Sequence, residues 1–134
     1  MLTVLVIDES RSRAGEICAG LALAGYQVAA ILAGSENLTA EVEKLQPDVI
    51  LIDTDSPSRD TLENLAAMHK DMPRPVVIFT QEDGQATIRD AVRAGVSAYV
   101  VDGLDPRRIK PIVEVARARF EDTQALRREL DEIS

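Results

Sequence analysis

The sequence has few of the residues on which disulfide-rich, zinc-binding and membrane proteins depend. Its one cysteine, Cys18, excludes an internal disulfide, and its one histidine, His69, is too few for a Cys/His zinc site. No apolar run approaches the ~20 residues of a membrane helix. The apolar stretch 1–7 meets Asp8 and Glu9 too soon for an export leader. We therefore expect a cytoplasmic protein without membrane association.

Positive charge is scarce relative to negative charge. The 134 residues include 15 Lys and Arg against 23 Asp and Glu, which gives a formal net charge of -8. Proteins that bind nucleic acid need clustered cations to neutralise phosphates. We therefore expect this chain not to bind nucleic acid by itself, so that any such function requires another domain. A chain of this length has room for one domain with a substantial core.

Short apolar runs rich in Val and Ile alternate with amphipathic stretches, which is typical of a parallel sheet covered by helices on both faces. The predicted strands are 2–8, 27–32, 48–54, 75–80 and 98–101. The predicted helices are 12–24, 38–45, 60–70 and 85–94, which end close to a glycine or a proline. The predicted fold class is therefore α/β, with a doubly wound sheet of parallel strands.

The C-terminal segment 106–134 differs from the rest of the chain. It has no glycine and, after its first residue, only Pro111, so it predicts one unusually long helix. One face of this helix repeats every three or four residues, which is the spacing of a coiled coil. The positions are Ile109, Ile112, Ala116, Arg119, Thr123, Leu126, Leu130 and Ile133. Two interpretations stay open: an ordinary terminal helix with a frayed tail, and a homodimer through Leu126, Leu130 and Ile133.

Acidic and hydroxyl side chains follow the predicted strands at their carboxyl ends, where ligands bind in open parallel sheets. They are Asp8 and Glu9 after the first strand, Asp53, Thr54 and Asp55 after the third, Thr80 after the fourth and Asp102 after the fifth. Clustered carboxylates repel one another unless a cation lies among them, and hard oxygen ligands select magnesium or calcium. Any one position is common as a helix cap or loop residue, so the prediction depends on the whole set.

Four segments together carry a family resemblance. The first strand ends in an acidic pair, 49–53 ends at Asp53 with Pro57 four residues on, 76–80 ends at Thr80, and 98–101 contains Tyr99. Over about residues 2–118 this pattern resembles the CheY-like receiver domains of two-component response regulators. The resemblance implies a flavodoxin-like sheet of order 2-1-3-4-5 and a histidine kinase or sensor protein as partner. It also implies a signalling module rather than an enzyme, beyond transfer of a phosphoryl group to itself.

The same resemblance assigns roles to individual residues. Asp53 is implied as the phosphoacceptor, Asp8, Glu9, Asp53 and the backbone carbonyl of Asp55 as Mg2+ ligands, Thr80 as a donor to the phosphoryl oxygens and Tyr99 as the aromatic switch. One position departs from the family pattern, because receivers place a lysine three residues after the switch aromatic and this chain has Asp102 there. An anion in place of a cation should weaken the coupling between Asp53 phosphorylation and the switch.

The segments 56–60 and 95–104 resemble a narrower group, the NasT-like response regulators of nitrate and nitrite assimilation. In that group a coiled coil and an ANTAR domain follow the receiver, and the ANTAR domain binds a leader-RNA hairpin and prevents transcription termination. The resemblance implies a receiver domain at 1–118, the start of a coiled-coil linker at 119–134, and an RNA-binding antitermination domain that is absent from this chain.

Two alternatives stay open. The segment 53–56, followed later by a strand ending in Thr80, also resembles haloacid-dehalogenase-type phosphatases, with Asp53 as nucleophile and Asp55 as general acid. Those enzymes usually carry the nucleophile on their first strand and need a downstream lysine and acidic pair. The other alternative is a pseudo-receiver that docks a partner without phosphate. Asp102 favours it, and the retained acidic residues oppose it.

Overall fold

The structure is a computed structural model, which describes residues 1–9, 14–34, 37–101 and 105–133. Its strands are β1 (Thr3–Asp8), β2 (Gln27–Leu32), β3 (Val49–Asp53), β4 (Val76–Thr80) and β5 (Ala98–Val101). Its helices are α1 (Ala14–Ala24), α2 (Leu38–Leu45), α3 (Arg59–Asp71), α4 (Gln85–Arg93) and α5 (Ile109–Ile133), the last preceded by a 3-10 turn (Pro106–Arg108). All strand pairs are parallel, in the order β2-β1-β3-β4-β5. The predicted doubly wound sheet of order 2-1-3-4-5 and the long C-terminal helix are confirmed.

The sheet separates two apolar layers, because successive residues of a strand face opposite sides. In β1, Leu5 and Ile7 pack with α2, α3 and α4, whereas Val4 and Val6 pack with α1 and α5. Every residue of β3 and β4 is buried. The continuous apolar runs of the sequence are therefore strands covered on both faces, as predicted.

Helix α5 is much longer than the strands of the sheet. Its 25 residues span ~37 Å at ~1.5 Å per residue. Its first half is part of the core through Ile109, Val113 and Ala116, and the Tyr26 hydroxyl donates a 2.7 Å hydrogen bond to Glu114 Oε1 on the same half. Toward the C-terminus Leu126, Leu130 and Ile133 are 59%, 60% and 84% exposed. The predicted coiled-coil stripe is thus divided between the domain core and an exposed end.

Two of the other helices begin with a side-chain cap. The side chain of Asn37 caps α2 by accepting from the amide of Ala40, and that of Ser58 caps α3 by accepting from the amide of Thr61.

No helix in the described ranges combines the length and the apolar character needed to cross a bilayer.

Candidate functional site

Two aspartates lie side by side where β1 and β3 end. Asp8 and Asp53 are register partners on neighbouring strands, and they are 4% and 0% exposed. The amide of Glu9 donates a 3.0 Å hydrogen bond to the carbonyl of Asp53, which extends the pairing by one residue. The structure therefore brings the predicted phosphoacceptor and the first predicted metal ligand together at the carboxyl edge of the sheet.

The local sequence explains this burial. Both strands are continuously apolar up to the aspartate, so the fold draws the strand ends into the interior. Neighbouring strands lie ~4.8 Å apart, and two like charges at about that separation repel by roughly 3 kcal/mol at an effective dielectric of about 20. A buried acidic pair of this kind favours a cation between its members, and its oxygen ligands suit Mg2+, which proteins often hold with one or two carboxylates.

Glu9 is directed toward the start of α3. Its carboxylate accepts a 3.0 Å hydrogen bond from the Thr54 hydroxyl and a 2.8 Å bond from the Thr61 hydroxyl. Gly34 fixes this position from the other side, because it has a φ of 102° and a Cβ there would lie 2.9 Å from Glu9 Cγ. Among the described residues no group of three or more His, Cys, Asp or Glu side chains is arranged to hold a metal. The predicted role of Glu9 as a direct ligand stays a prediction.

The backbone carbonyl of Asp55 faces the start of the loop after β4. It accepts a 3.0 Å hydrogen bond from the Thr80 hydroxyl and a 3.3 Å bond from the amide of Gln81. The Thr80 oxygen in turn accepts from the amide of Glu82 at 3.2 Å. Thr80 therefore connects the loop after β3 to the loop after β4. Its hydroxyl is bonded to the Asp55 carbonyl, which was predicted to bind metal.

Tyr99 extends this chain of contacts to β5. Its hydroxyl donates a 2.8 Å hydrogen bond to the backbone carbonyl of Glu82, and its ring is half-buried against the core. Burial, together with the negative charge of Glu82, raises the pKa of the phenol above its ordinary value. Thr80 and Tyr99, the two predicted switch residues, are thus linked through Glu82.

Sequence reasoning did not find Thr54 and Thr61 as partners of Glu9, nor Glu82 as a partner of Thr80 and Tyr99. A signal for Thr61 exists, because it stands three residues after the cap Ser58, where a polar side chain turns back toward the preceding loop. Asp102, the predicted departure from the family pattern, lies outside the described residues.

The fold and the buried acidic pair define an open α/β module with an acidic site at the carboxyl edge of its sheet. Residues 4–114 match the response regulator receiver domain family, and the chain belongs to that family. This assignment confirms the broad resemblance to CheY-like receivers and favours it over the phosphatase alternative, since family members are signalling modules of two-component systems.

The chain is also similar to individual regulatory proteins. The DNA-binding response regulator MtrA of Mycolicibacterium smegmatis is 28% identical over 122 residues, 91% of this chain and 53% of that protein. The transcriptional regulatory protein PdtaR of Mycobacterium tuberculosis is 24% identical over 110 residues, 82% and 54% of the two lengths. A CheY-like receiver domain protein from Methanospirillum hungatei superposes with a TM-score of 0.76 at 20% identity, covering 92% of this chain and 98% of that one, which shows the shared fold. The chain spans about half the length of the curated relatives it matches.

Proposed function

We propose that this receiver accepts a phosphoryl group on Asp53 with the help of Mg2+. The observation that carries the proposal is the fully buried Asp53 beside Asp8 at the carboxyl end of the central strands. A carboxylate oxygen of Asp53 attacks the phosphorus of the donor, the bond from phosphorus to the donor's leaving atom breaks (an imidazole nitrogen in a phosphohistidine, an oxygen in an acyl phosphate), and an acyl phosphate forms on Asp53. The histidine kinase that would serve as donor is part of this proposal.

The residues around Asp53 fit a hard cation. Asp8 and Asp53 supply adjacent carboxylate oxygens, and the carbonyl of Asp55 would add a neutral one after releasing Thr80 or Gln81. Mg2+, when bound, would neutralise the acidic pair and the incoming phosphoryl oxygens. Glu9 would contribute after releasing one of its threonine bonds, or through a water molecule.

Thr80 and Tyr99 carry the proposed switch. When Asp53 is phosphorylated, the Thr80 hydroxyl would leave the carbonyl of Asp55 and donate to a phosphoryl oxygen, which is charged and therefore the stronger acceptor. The amide of Glu82, now bonded to Thr80, would move with it. Because Tyr99 is bonded to the Glu82 carbonyl, its ring would be released or repositioned at the surface of α4 and β5.

Asp102 sets the strength of this response. It occupies the position of the usual lysine, so no cation from that position pairs with the product, and the acyl phosphate should be poorly formed or short-lived. Asp102→Lys should raise its yield or lifetime, measured by intact mass over time. If wild type is already efficiently modified and Asp102→Lys brings no gain, another group supplies the charge.

A second candidate function is docking of a partner without phosphate. Two observations favour it: Asp102 replaces the expected cation, and the carboxylate of Glu9, a predicted metal ligand, is held by two threonine hydroxyls. In this case a partner would bind the wild type and Asp53→Asn equally, with or without Mg2+ and a phosphodonor.

The output is proposed from likeness alone. The sequence resemblance favours an RNA-binding ANTAR domain and antitermination in nitrate or nitrite assimilation, whereas the name of the relative MtrA points to DNA binding. Either output requires a domain outside this chain, because a net charge of -8 opposes direct binding of nucleic acid. A phosphorylated receiver serving such an output would act in the cytoplasm.

A phosphodonor assay tests the function. The chain is treated with a small acyl phosphate, with and without Mg2+, and both its intact mass and the released inorganic phosphate are followed. We expect Mg2+-dependent addition of one phosphoryl group per chain and slow release. Repeated fast turnover would instead indicate a phosphatase, and no modification under any condition would favour the docking function.

A further inference from the structure

A second polar cavity lies at the opposite edge of the sheet from Asp53. It has a volume of about 290 Å3 and lies between the ends of α3 and α4, the turn before β5 and the second half of α5. Its polar lining residues include His69, Arg93, Arg119, Gln124 and Arg127. We refer to these five residues and the space that they line as the basic cavity; its three arginines are exposed.

The charge of the basic cavity is opposite to that of the chain. Its lining includes three arginines and no Asp or Glu, although the chain has a net charge of -8. Within the described part of the chain, none of the three arginines forms an ion pair or a side-chain hydrogen bond. Other arginines behave differently, since Arg59 and Arg117 pair with carboxylates on their own helices. The guanidinium groups of the basic cavity are therefore available to a ligand.

Two buried polar atoms of the basic cavity also favour a bound ligand. Gln124 Nε2 and His69 Nδ1 are buried and make no hydrogen bond within the described ranges. Buried polar groups in native proteins nearly always have a partner, and the amide nitrogen of Gln124 can only donate. A ligand with several acceptor oxygens would satisfy both the arginines and the amide.

The wall of the cavity at His69 is closely packed. The His69 ring contacts the Phe120 ring edge-on, with centroids 6.5 Å apart and an interplanar angle of 74°. On its other side it packs against Gly95, which has a φ of 98° and where a Cβ would lie 2.6 Å from His69 Cγ. Any other residue at position 95 would displace the imidazole, so this glycine keeps the His69 wall in place.

We propose that the basic cavity binds the phosphate group of a small phosphorylated molecule. Guanidinium groups match phosphate oxygens with paired hydrogen bonds, and three of them suit a doubly charged phosphate better than a singly charged carboxylate. The volume lies near the lower limit of ligand pockets, roughly 300 Å3, which favours a small molecule over a polymer. This site is independent of Asp53 and of the proposed phosphorylation.

The only histidine of the chain provides the probe. The full chain is titrated with inorganic pyrophosphate in the absence of Mg2+, and the imidazole proton resonances of His69 are followed by NMR. We expect a saturable shift. Burial and the positive charge of Arg127 lower the pKa of His69, so a bound anion near Arg93, Arg119 and Arg127 should also raise that pKa.

Matched variants separate this site from general charge attraction. Arg119→Gln and Arg127→Gln should each weaken binding at least roughly tenfold, the loss expected for one charge-assisted contact. Arg128→Gln removes the same charge from the same helix but does not line the cavity, and Asp53→Asn removes the phosphoacceptor. Both should bind within about twofold of wild type. The proposal is overturned if His69 shows no saturable shift, if Arg128→Gln weakens binding as much as Arg127→Gln, or if Asp53→Asn abolishes it.

Discussion

At the scale of single residues, the carboxylates of the acidic site have two different surroundings. Asp8 and Asp53 are buried together at the strand ends, whereas Glu9 is turned to the hydroxyls of Thr54 and Thr61. Hydrogen bonds to a charged group typically contribute about 1.5–3 kcal/mol. A cation that recruits Glu9 would have to compete with these bonds, so we expect the threonines to influence metal affinity without binding the metal.

Thr61→Val should therefore strengthen Mg2+ binding. The valine keeps the shape of the side chain but no longer holds Glu9 Oε1, so the carboxylate turns to the cation at lower cost. We expect the dissociation constant measured by calorimetry to fall by up to about tenfold, the equivalent of ~1.4 kcal/mol. Thr61→Ser keeps the hydroxyl and should bind as wild type does. Weaker Mg2+ binding by Thr61→Val would mean that Glu9 binds the metal from its present position.

His69 should give the fold a specific dependence on pH. Burial, followed by the charge of Arg127, lowers its pKa below the ordinary 6.5, so between the two values the unfolded chain binds more protons than the folded chain. The stabilising effect is complete above pH 6.5 and is lost as the pH falls from there toward the folded-state pKa. Urea unfolding from pH 7.5 to 5.5 in a phosphate-free buffer should show this decrease, and His69→Gln should reduce its slope. An unchanged slope would exclude His69 as the cause.

At the scale of elements, α5 is attached to the domain by more than its apolar face. Tyr26, before β2, donates to Glu114 on α5, and its ring packs with the core layer beneath that helix. Burial, then the hydrogen bond and charge of Glu114, raise the pKa of Tyr26 to about 12. The turn after α1 and the first half of α5 are thereby joined across 88 residues of sequence.

Replacing either partner tests this attachment. Glu114→Gln should bring the phenol pKa of Tyr26 down toward 10, since burial remains while the negative charge is removed. Tyr26→Phe should lower the free energy of unfolding by about 0.5–1 kcal/mol, the usual net value of one hydrogen bond. Ultraviolet titration of the tyrosines and urea unfolding measure the two effects. A Tyr26 pKa that is unaffected by Glu114→Gln would contradict the attachment.

The sequence predicted the elements better than the contacts between their ends. The bounds of β2, α2 and β5 match the prediction, and the ends of the other described elements differ by one to three residues, because periodicity and Gly or Pro punctuation are local signals. The adjacency of Asp8 and Asp53 was predictable because parallel strands end at one edge. Two contacts join residues more than 50 positions apart: the hydrogen bond between Glu9 and Thr61, and the ring contact between His69 and Phe120. No local sequence pattern specifies contacts of this kind.

At the scale of the whole molecule, the exposed end of α5 is the expected dimer surface. Leu126, Leu130 and Ile133 form a short apolar stripe, while Phe120 and Gln124 contact or line the basic cavity instead. The expected dimer surface is therefore the part of α5 from Leu126 onward. Burying these three side chains contributes only a few kcal/mol before the cost of association, so a weak parallel dimer is expected.

Polar substitution tests the dimer without removing residues of the cavity. Leu126→Gln, Leu130→Gln and Ile133→Gln together should lower the dimer fraction in sedimentation and leave the fold intact by circular dichroism. Val115→Gln, on α5 and also exposed, should leave the dimer fraction unchanged. If the triple variant associates as wild type does, any dimer uses another face. If wild type is monomeric at high concentration, the coiled-coil prediction is wrong.

The central claim is that Asp53 accepts the phosphoryl group. Identifying the residue that is modified tests this claim most directly. Wild type, Asp53→Asn and Asp55→Asn are treated with an acyl phosphate and Mg2+, and the modified residue is identified by peptide mass spectrometry. Asp55 is the matched control, because it is exposed and its proposed contribution is a backbone carbonyl. We predict modification of wild type and Asp55→Asn at Asp53, and none of Asp53→Asn. Equal modification of Asp53→Asn, or a phosphoryl group on another residue, would contradict the account.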